Sequence, residues 1–233
     1  MRVKFFILVV LFFAYSYAKA QEEESSHPYS PHKVRTVIKG NPFSMLVGVI
    51  PLTSEFRLIT EYAVSKNQST QIGFSYLGKS PFLAIIESGN NINNNGFDQK
   101  LKVQGYRVQA SHKFYFSQFG DNFNNSDFLA PQGFYVSPHI SYSTAKIYMQ
   151  YFQVYDIWIR ATQFNANILI GGQLFLGKVA IDMFTGLGYK KNEWVERYSQ
   201  TQITIIDPLD LGLPPTYNGS LKFSLGFNIG YGF

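Results

Sequence analysis

The stretch SLKFSLGFNIGYGF, residues 220–233, alternates without a break. Leu221, Phe223, Leu225, Phe227, Ile229, Tyr231 and Phe233 form one set, and Ser220, Lys222, Ser224, Gly226, Asn228, Gly230 and Gly232 the other. Side chains on a strand point to opposite faces with period two, so this is one ribbon with a wholly apolar face and a small or polar one. A strand of a soluble sandwich is usually about half as long. Here glycines, not charges, crowd the polar face. A tilted strand of about 9 to 11 residues crosses a bilayer.

The same alternation recurs upstream. Segments near 43–50, 55–64, 70–76, 103–117, 133–145, 163–172 and 178–189 read as strands, which with the last makes eight. In the second, Phe56, Leu58, Thr60, Tyr62 and Val64 oppose Arg57, Ile59, Glu61 and Ala63. In the fourth, Tyr106, Val108, Ala110, His112, Phe114 and Phe116 oppose Arg107, Gln109, Ser111, Lys113 and Tyr115. Pro138 interrupts the fifth and removes one ladder hydrogen bond. An even number of strands places both ends of the barrel domain on one side. The connections on the opposite side, 51–54, 78–100, 146–162 and 190–219, are mostly long, and the inner turns mostly short, apart from 118–132. The expected architecture is all-β: an eight-stranded antiparallel up-and-down transmembrane β-barrel.

Composition agrees. Aromatics make up 17% of the chain and charges 15%, whereas an average soluble domain carries about 25% charged residues. Residues 1–20 read as a signal peptide, with basic Arg2 and Lys4, an apolar run at 5–14 and an Ala18-Lys19-Ala20 cleavage site. Residues 21–41 read as a flexible leader and 42–233 as the barrel. Of 20 basic residues, loss of Arg2, Lys4 and Lys19 leaves 17 against 15 acidic ones, so the basic balance gives no argument for a nucleic-acid partner. There is no cysteine for a disulfide framework or for an acylated lipoprotein terminus. His27 and His32 lie in the leader without a third ligand, so neither metal nor cofactor is expected.

The ending resembles the carboxy-terminal signature of bacterial outer-membrane barrels, with Phe233 last and Tyr231 and Ile229 on the same face. In that class the barrel-assembly machinery recognises such a signature. The layout as a whole is similar to the small barrels of the OmpA transmembrane domain and OmpX type. It resembles most the uncharacterised small barrel families of Bacteroidota, on Glu61-Tyr62 in the second strand, Arg107 and Lys113 in the fourth, and Gly133-Phe134-Tyr135 opening the fifth. The resemblance implies a monomeric Gram-negative outer-membrane protein at the cell surface, in contact with outer-membrane lipid.

The inward set contains Arg57, Glu61, Arg107, Lys113, His139, Asp182 and Lys222. Charges on the lipid face cost about 2 to 4 kcal/mol for Arg or Lys at the midplane, so they belong inside. Eight strands enclose only room for side chains, which makes a salt-bridged plug the first reading and an ion path the second. Glu61 and Asp182 are expected to pair among Arg57, Arg107, Lys113 and Lys222. A lipid A-modifying enzyme is a further alternative. It needs a Ser-His-acid arrangement, and His112 beside Ser111, or His139 between Ser137 and Ser141, supplies no evident acid. The outer connections are expected to present Tyr148, Tyr151, Phe152, Tyr155, Trp158 and Trp194, as an interfacial girdle or as anchors for a surface protein or glycan. A non-enzymatic structural or surface-interaction role follows as the expectation.

Overall fold

The computed structural model describes residues 36–45, 48, 50, 53–65, 67–81, 85, 101–117, 132–151, 155–197, 203–207 and 219–233. The strands are β1 (Thr36–Gly40), β2 (Thr53–Ser65), β3 (Gln68–Lys79), β4 (Leu101–Ser117), β5 (Gly133–Tyr151), β6 (Tyr155–Leu176), β7 (Val179–Arg197), β8 (Ile203–Ile205) and β9 (Leu221–Gly232). Each pairs antiparallel with its neighbour, β6 pairs with β7, and β1 joins β2 to β9. The result is a closed eight-stranded antiparallel barrel. The short β8 lies outside the ring and continues along β7 where β9 has ended.

Alternation holds around the ring. On β2, Phe56, Leu58 and Tyr62 are exposed while Glu55, Ile59 and Glu61 are buried. On β9 the outward Leu225 is 79% exposed and Leu221 73%. The outward face carries Ile72, Phe74, Val108, Val136, Ile168, Ile170, Met183 and Leu187 between two tiers of aromatics. Tyr76, Tyr106, Tyr142 and Tyr189 mark one tier, with the Tyr106 and Tyr142 rings 6.5 Å apart. Phe116, Phe134, Tyr231 and Phe233 mark the other, with Phe116 stacked on Phe134 at 6.5 Å and Tyr231 edge-on to Phe233 at 5.2 Å. From Tyr106 to Phe116 a strand rising ~3.3 Å per residue and tilted by ~40° climbs about 25 Å, the height of a lipid-facing band.

Pro138 faces outward, and its effect is local. Pairing between β4 and β5 runs to Ser111↔His139 and resumes in the same register at Phe114↔Val136, where the proline has removed a donor.

Three expectations are corrected. The first strand is Thr36–Gly40 and not 43–50, which holds a 3-10 turn at Phe43–Met45. The run 43–50 is apolar on both alternating sets, so it has no polar face to give the lumen. Thr36–Gly40 places Lys39 inside and Ile38 outside. The barrel therefore begins within the segment read as leader. Because β1 is only five residues long, it pairs with β9 from Val37↔Gly232 to Gly40↔Ile229. Among the described residues no strand flanks β9 on that side from Leu221 to Asn228.

The second correction concerns 146–162, expected as a loop. β5 and β6 continue through it as a paired hairpin to Tyr151↔Tyr155. The alternation persists there, but its polarity is inverted: Ala145, Ile147, Ile159 and Ala161 are buried inside, and Lys146, Tyr148, Trp158 and Arg160 lie on the outer face. Third, β7 runs on to Arg197 and takes up β8, so the connection read as 190–219 is strand at both ends. The barrel wall rises past the apolar band on this side, where its outer surface is polar. Residues 1–35, which hold the segment read as a signal peptide and most of the segment read as leader with His27 and His32, lie outside the described residues, as does 118–131.

Candidate functional site: the lumen

The inward side chains form two tiers between two apolar caps. The lower cap is Val37, Phe175 and Ala180. Above it Lys39 Nζ lies 2.9 Å from Asp182 Oδ2 and is also bonded to Glu61. Lys113 Nζ lies 2.8 Å from the same Asp182 oxygen and 3.8 Å from Glu61 Oε1. Both ammonium groups donate to Gln173 Oε1, at 2.6 and 2.7 Å. The Tyr135 hydroxyl donates to Asp182 Oδ1 at 2.7 Å, and Lys113 sits 4.2 Å over the Tyr135 ring. Gln71 and Tyr115 donate to Glu61 at 3.0 and 3.2 Å, and Ser69 also bonds it. Lys39, Glu61, Lys113 and Asp182 are at most 2% exposed. Two bases face two acids, and the remaining lone pairs are taken by neutral donors, which is what burial of charge requires. Gly171 makes room for this: a Cβ there would stand 2.5 Å from the Tyr135 hydroxyl.

The upper tier is composed differently. Arg57 forks onto Glu55, with Nη2 2.8 Å from Oε2 and Nε donating to Oε1 at 2.9 Å. Arg107 Nη1 reaches both Glu55 oxygens only at 3.4 Å, and Nη2 donates to Ser141 at 3.2 Å. His139 and Lys222 line the same space. Among the described residues Lys222 makes no hydrogen bond or ion pair. Ile59, Leu169 and Phe184 stand between the tiers on β2, β6 and β7. The Phe184 ring covers Gly226, its register partner, where any side chain would collide with it. The outer cap is Ile50, Leu77, Ala145, Ile159, Ala161 and Trp194, with Ile206 packed on it and its amide bonded to the Trp194 carbonyl at 3.1 Å.

Against the sequence expectations, all seven lumen residues face inward, but they do not form one network. Glu61 and Asp182 take Lys113 and Lys39, whereas Arg57 and Arg107 take Glu55. Lys39 and Glu55 were missed. The parity that placed Arg57 inside also places Glu55 inside, so that signal was available; a five-residue strand gave none for Lys39.

The expected loop aromatics are redistributed. Tyr148 and Trp158 stand on the outer face of paired strands, with Lys146 5.0 Å and Arg160 5.8 Å over the Trp158 ring. Trp194 points inward as part of the cap. The side chains of Tyr151 and Tyr155 and the whole of Phe152 lie outside the described residues. Ile229, Tyr231 and Phe233 face outward at the lower rim, and the Phe233 amide bonds the Thr36 carbonyl at 2.9 Å. His112 faces outward yet is 1% exposed: Nδ1 is 2.8 Å from the Thr70 hydroxyl, Nε2 3.3 Å from Gln68 Oε1, and Phe114 lies edge-on at 4.7 Å.

No protein-family model matches the chain, and no curated protein matches it in sequence. Among solved structures it is similar to a major outer membrane protein from Thermus thermophilus, at 10% identity and a TM-score of 0.44, over 85% of this chain and 98% of that one. The class that the chain's own geometry defines is the small closed β-barrel whose lower lumen is plugged by paired charges.

Proposed function

We propose that the protein is a non-enzymatic β-barrel of the bacterial outer membrane, sealed by its own side chains, with a structural or surface-interaction role. The observation that carries this reading is the closed apolar band between two tiers of aromatics. An exposed apolar surface of that extent has no place in water. The signal-peptide reading of residues 1–20 and the outward face of Ile229, Tyr231 and Phe233 support export and assembly by the barrel-assembly machinery. The polar wall of β5–β8 above the band is the surface offered to a protein or glycan, and a monomer is the expected state. A narrow channel is the less favoured reading, because Lys39, Glu61, Lys113 and Asp182 block the lower lumen above its apolar cap. A lipid A enzyme is also less favoured: the His112 ring nitrogens meet a threonine hydroxyl and a glutamine amide, where a catalytic base would be set between a serine and an acid.

The test is membrane fractionation with boiled and unboiled samples compared by gel electrophoresis, for wild type and a Phe233 deletion. A boiling-dependent mobility shift in the outer-membrane fraction, weakened by the deletion, is the expected result. A soluble protein without a shift would sink the reading. Planar-bilayer recordings should show no steady conductance, and lipid A from cells carrying His112→Ala or His139→Ala should equal that of wild type.

A further inference from the structure

Among the described residues the upper tier has three basic side chains, Arg57, Arg107 and Lys222, against one acid, Glu55, and the plug's Lys113 and Asp182 line the same space from below. Arg107 is only 7% exposed, yet its Nε has no hydrogen-bond partner, and neither do the buried amide oxygens of Gln109, Asn167 and Asn228. A buried guanidinium nitrogen without a partner is costly, and several orphaned polar atoms around one space mark a place where something else completes the bonding. The space measures about 1400 Å³. Its lining continues from Arg57, Arg107 and Lys222 to the outward residues Phe223, Leu225 and Phe227, and to Phe43 of the 3-10 turn. Phe43 meets Phe227 edge-on at 6.1 Å. The continuity follows from the short β1: among the described residues no strand flanks β9 above Asn228 on that side. A cavity that is basic inside and opens between aromatic side chains on the lipid face matches one kind of molecule.

We propose that the upper lumen binds an acidic amphiphile, its phosphate or carboxylate held by Arg57, Arg107 and Lys222 and its chain leaving past Phe43 and Phe227. Arg57 and Arg107 supply the planar donors that suit an oxyanion, and Lys222 the point charge at the mouth. The apolar part of the ligand stays in the lipid-facing band, so no polar group is stranded. The inference rests on the barrel standing in a bilayer. The boiling-shift gel is run first on every sample, so failure of that reading is seen separately.

The experiment is isothermal titration of the full-length barrel in dodecyl maltoside with lysophosphatidic acid, with inorganic phosphate and with lysophosphatidylcholine. Lysophosphatidic acid should bind saturably at one site, and the other two should not. Arg107→Gln and Lys222→Met should weaken it by about ten- to a hundredfold, the loss expected for one charge-assisted contact. Lys191→Gln, on the outer wall, should leave it unchanged. Ser224→Phe should abolish it by filling the chamber while keeping every charge. Equal binding of lysophosphatidylcholine, phosphate binding as tightly as the lipid, or indifference to Lys222→Met and Ser224→Phe would each overturn the proposal. Should Arg107→Gln fail to give the boiling shift, the wild-type selectivity and the other two variants still decide.

Discussion

The lower and upper tiers of the lumen are built from the same strands and the same alternation, yet they end in opposite electrostatic states. Below, Lys39, Lys113, Glu61 and Asp182 balance two against two, with Gln71, Gln173, Tyr115 and Tyr135 completing their bonding. Above, Glu55 serves Arg57 well and Arg107 poorly, and Lys222 has no partner among the described residues. The difference traces to β1. Its five residues bring Lys39 into the lower tier and then leave the wall at Gly40. The lower tier is ringed by eight strands; beside the upper one, among the described residues, a turn stands where the eighth would be. A filled ring forces charges to pair, and an incomplete one leaves room for charges that have not.

The largest expected effect lies in the plug. Asp182→Asn keeps the shape and removes the charge shared by Lys39 and Lys113. Breaking a buried pair from one side costs about 3 to 5 kcal/mol. The urea midpoint of the boiling-sensitive gel form should fall accordingly. A midpoint within ~0.5 kcal/mol of wild type would mean that the lower tier is as wet and tolerant as the upper, and the contrast would be lost.

Next in size is the boundary between the tiers. Gly226→Val would drive a side chain into the Phe184 ring, an overpacking worth about 1 to 3 kcal/mol. Phe184→Ala in the same chain should recover part of that loss, because the two changes act on one contact. Strictly additive losses in the double-mutant cycle would show that the ring does not lie on Gly226.

How much of this was legible depends on what alternation encodes. Parity tells which face a side chain takes, and it placed Arg57, Glu61, Arg107, Lys113, His139, Asp182 and Lys222 inside. It does not tell height. The level at which Asp182 meets Lys113 and not Arg107 is set by strand tilt and by the register between distant strands. Residues 146–162 stayed hidden for a different reason: the period is intact, but Ile147 and Ile159 face in while Lys146 and Arg160 face out. A search for apolar residues on the outer face stops where the apolar band ends. β1 is too short for periodicity to detect, and the apolar run at 43–50 drew the assignment instead.

Glu55→Gln makes in the upper tier the same kind of change as Asp182→Asn makes in the lower. It removes the carboxylate that Arg57 forks, and the loss of a charged hydrogen bond is about 1.5 to 3 kcal/mol where water cannot substitute. Glu55 is as deeply buried as Asp182, but it lines the large upper chamber, where water can take up the vacated bonds, so the midpoint should fall by no more than half of the Asp182→Asn shift. Equal shifts would show that Glu55 is sealed as tightly as the plug.

Lys222→Met should have the smallest effect on stability and is the sharpest probe of the contrast. Lys222 has no acid to lose among the described residues, and it lies in a chamber that already holds Arg57 and Arg107. Removing it relieves like-charge repulsion and keeps the apolar stem that covers the wall beside Gly188, its register partner. The urea midpoint should stay within ~0.5 kcal/mol of wild type or rise. The same substitution in the plug, Lys113→Met, strands Glu61 and Asp182 with one base between them and should approach the Asp182→Asn loss. If the two lysine variants fall together, Lys222 is paired in the native barrel and the upper tier is balanced after all. If they separate as expected, Lys222 is a basic group held inside without a stabilising partner, which a folded chain keeps only where something other than folding uses it.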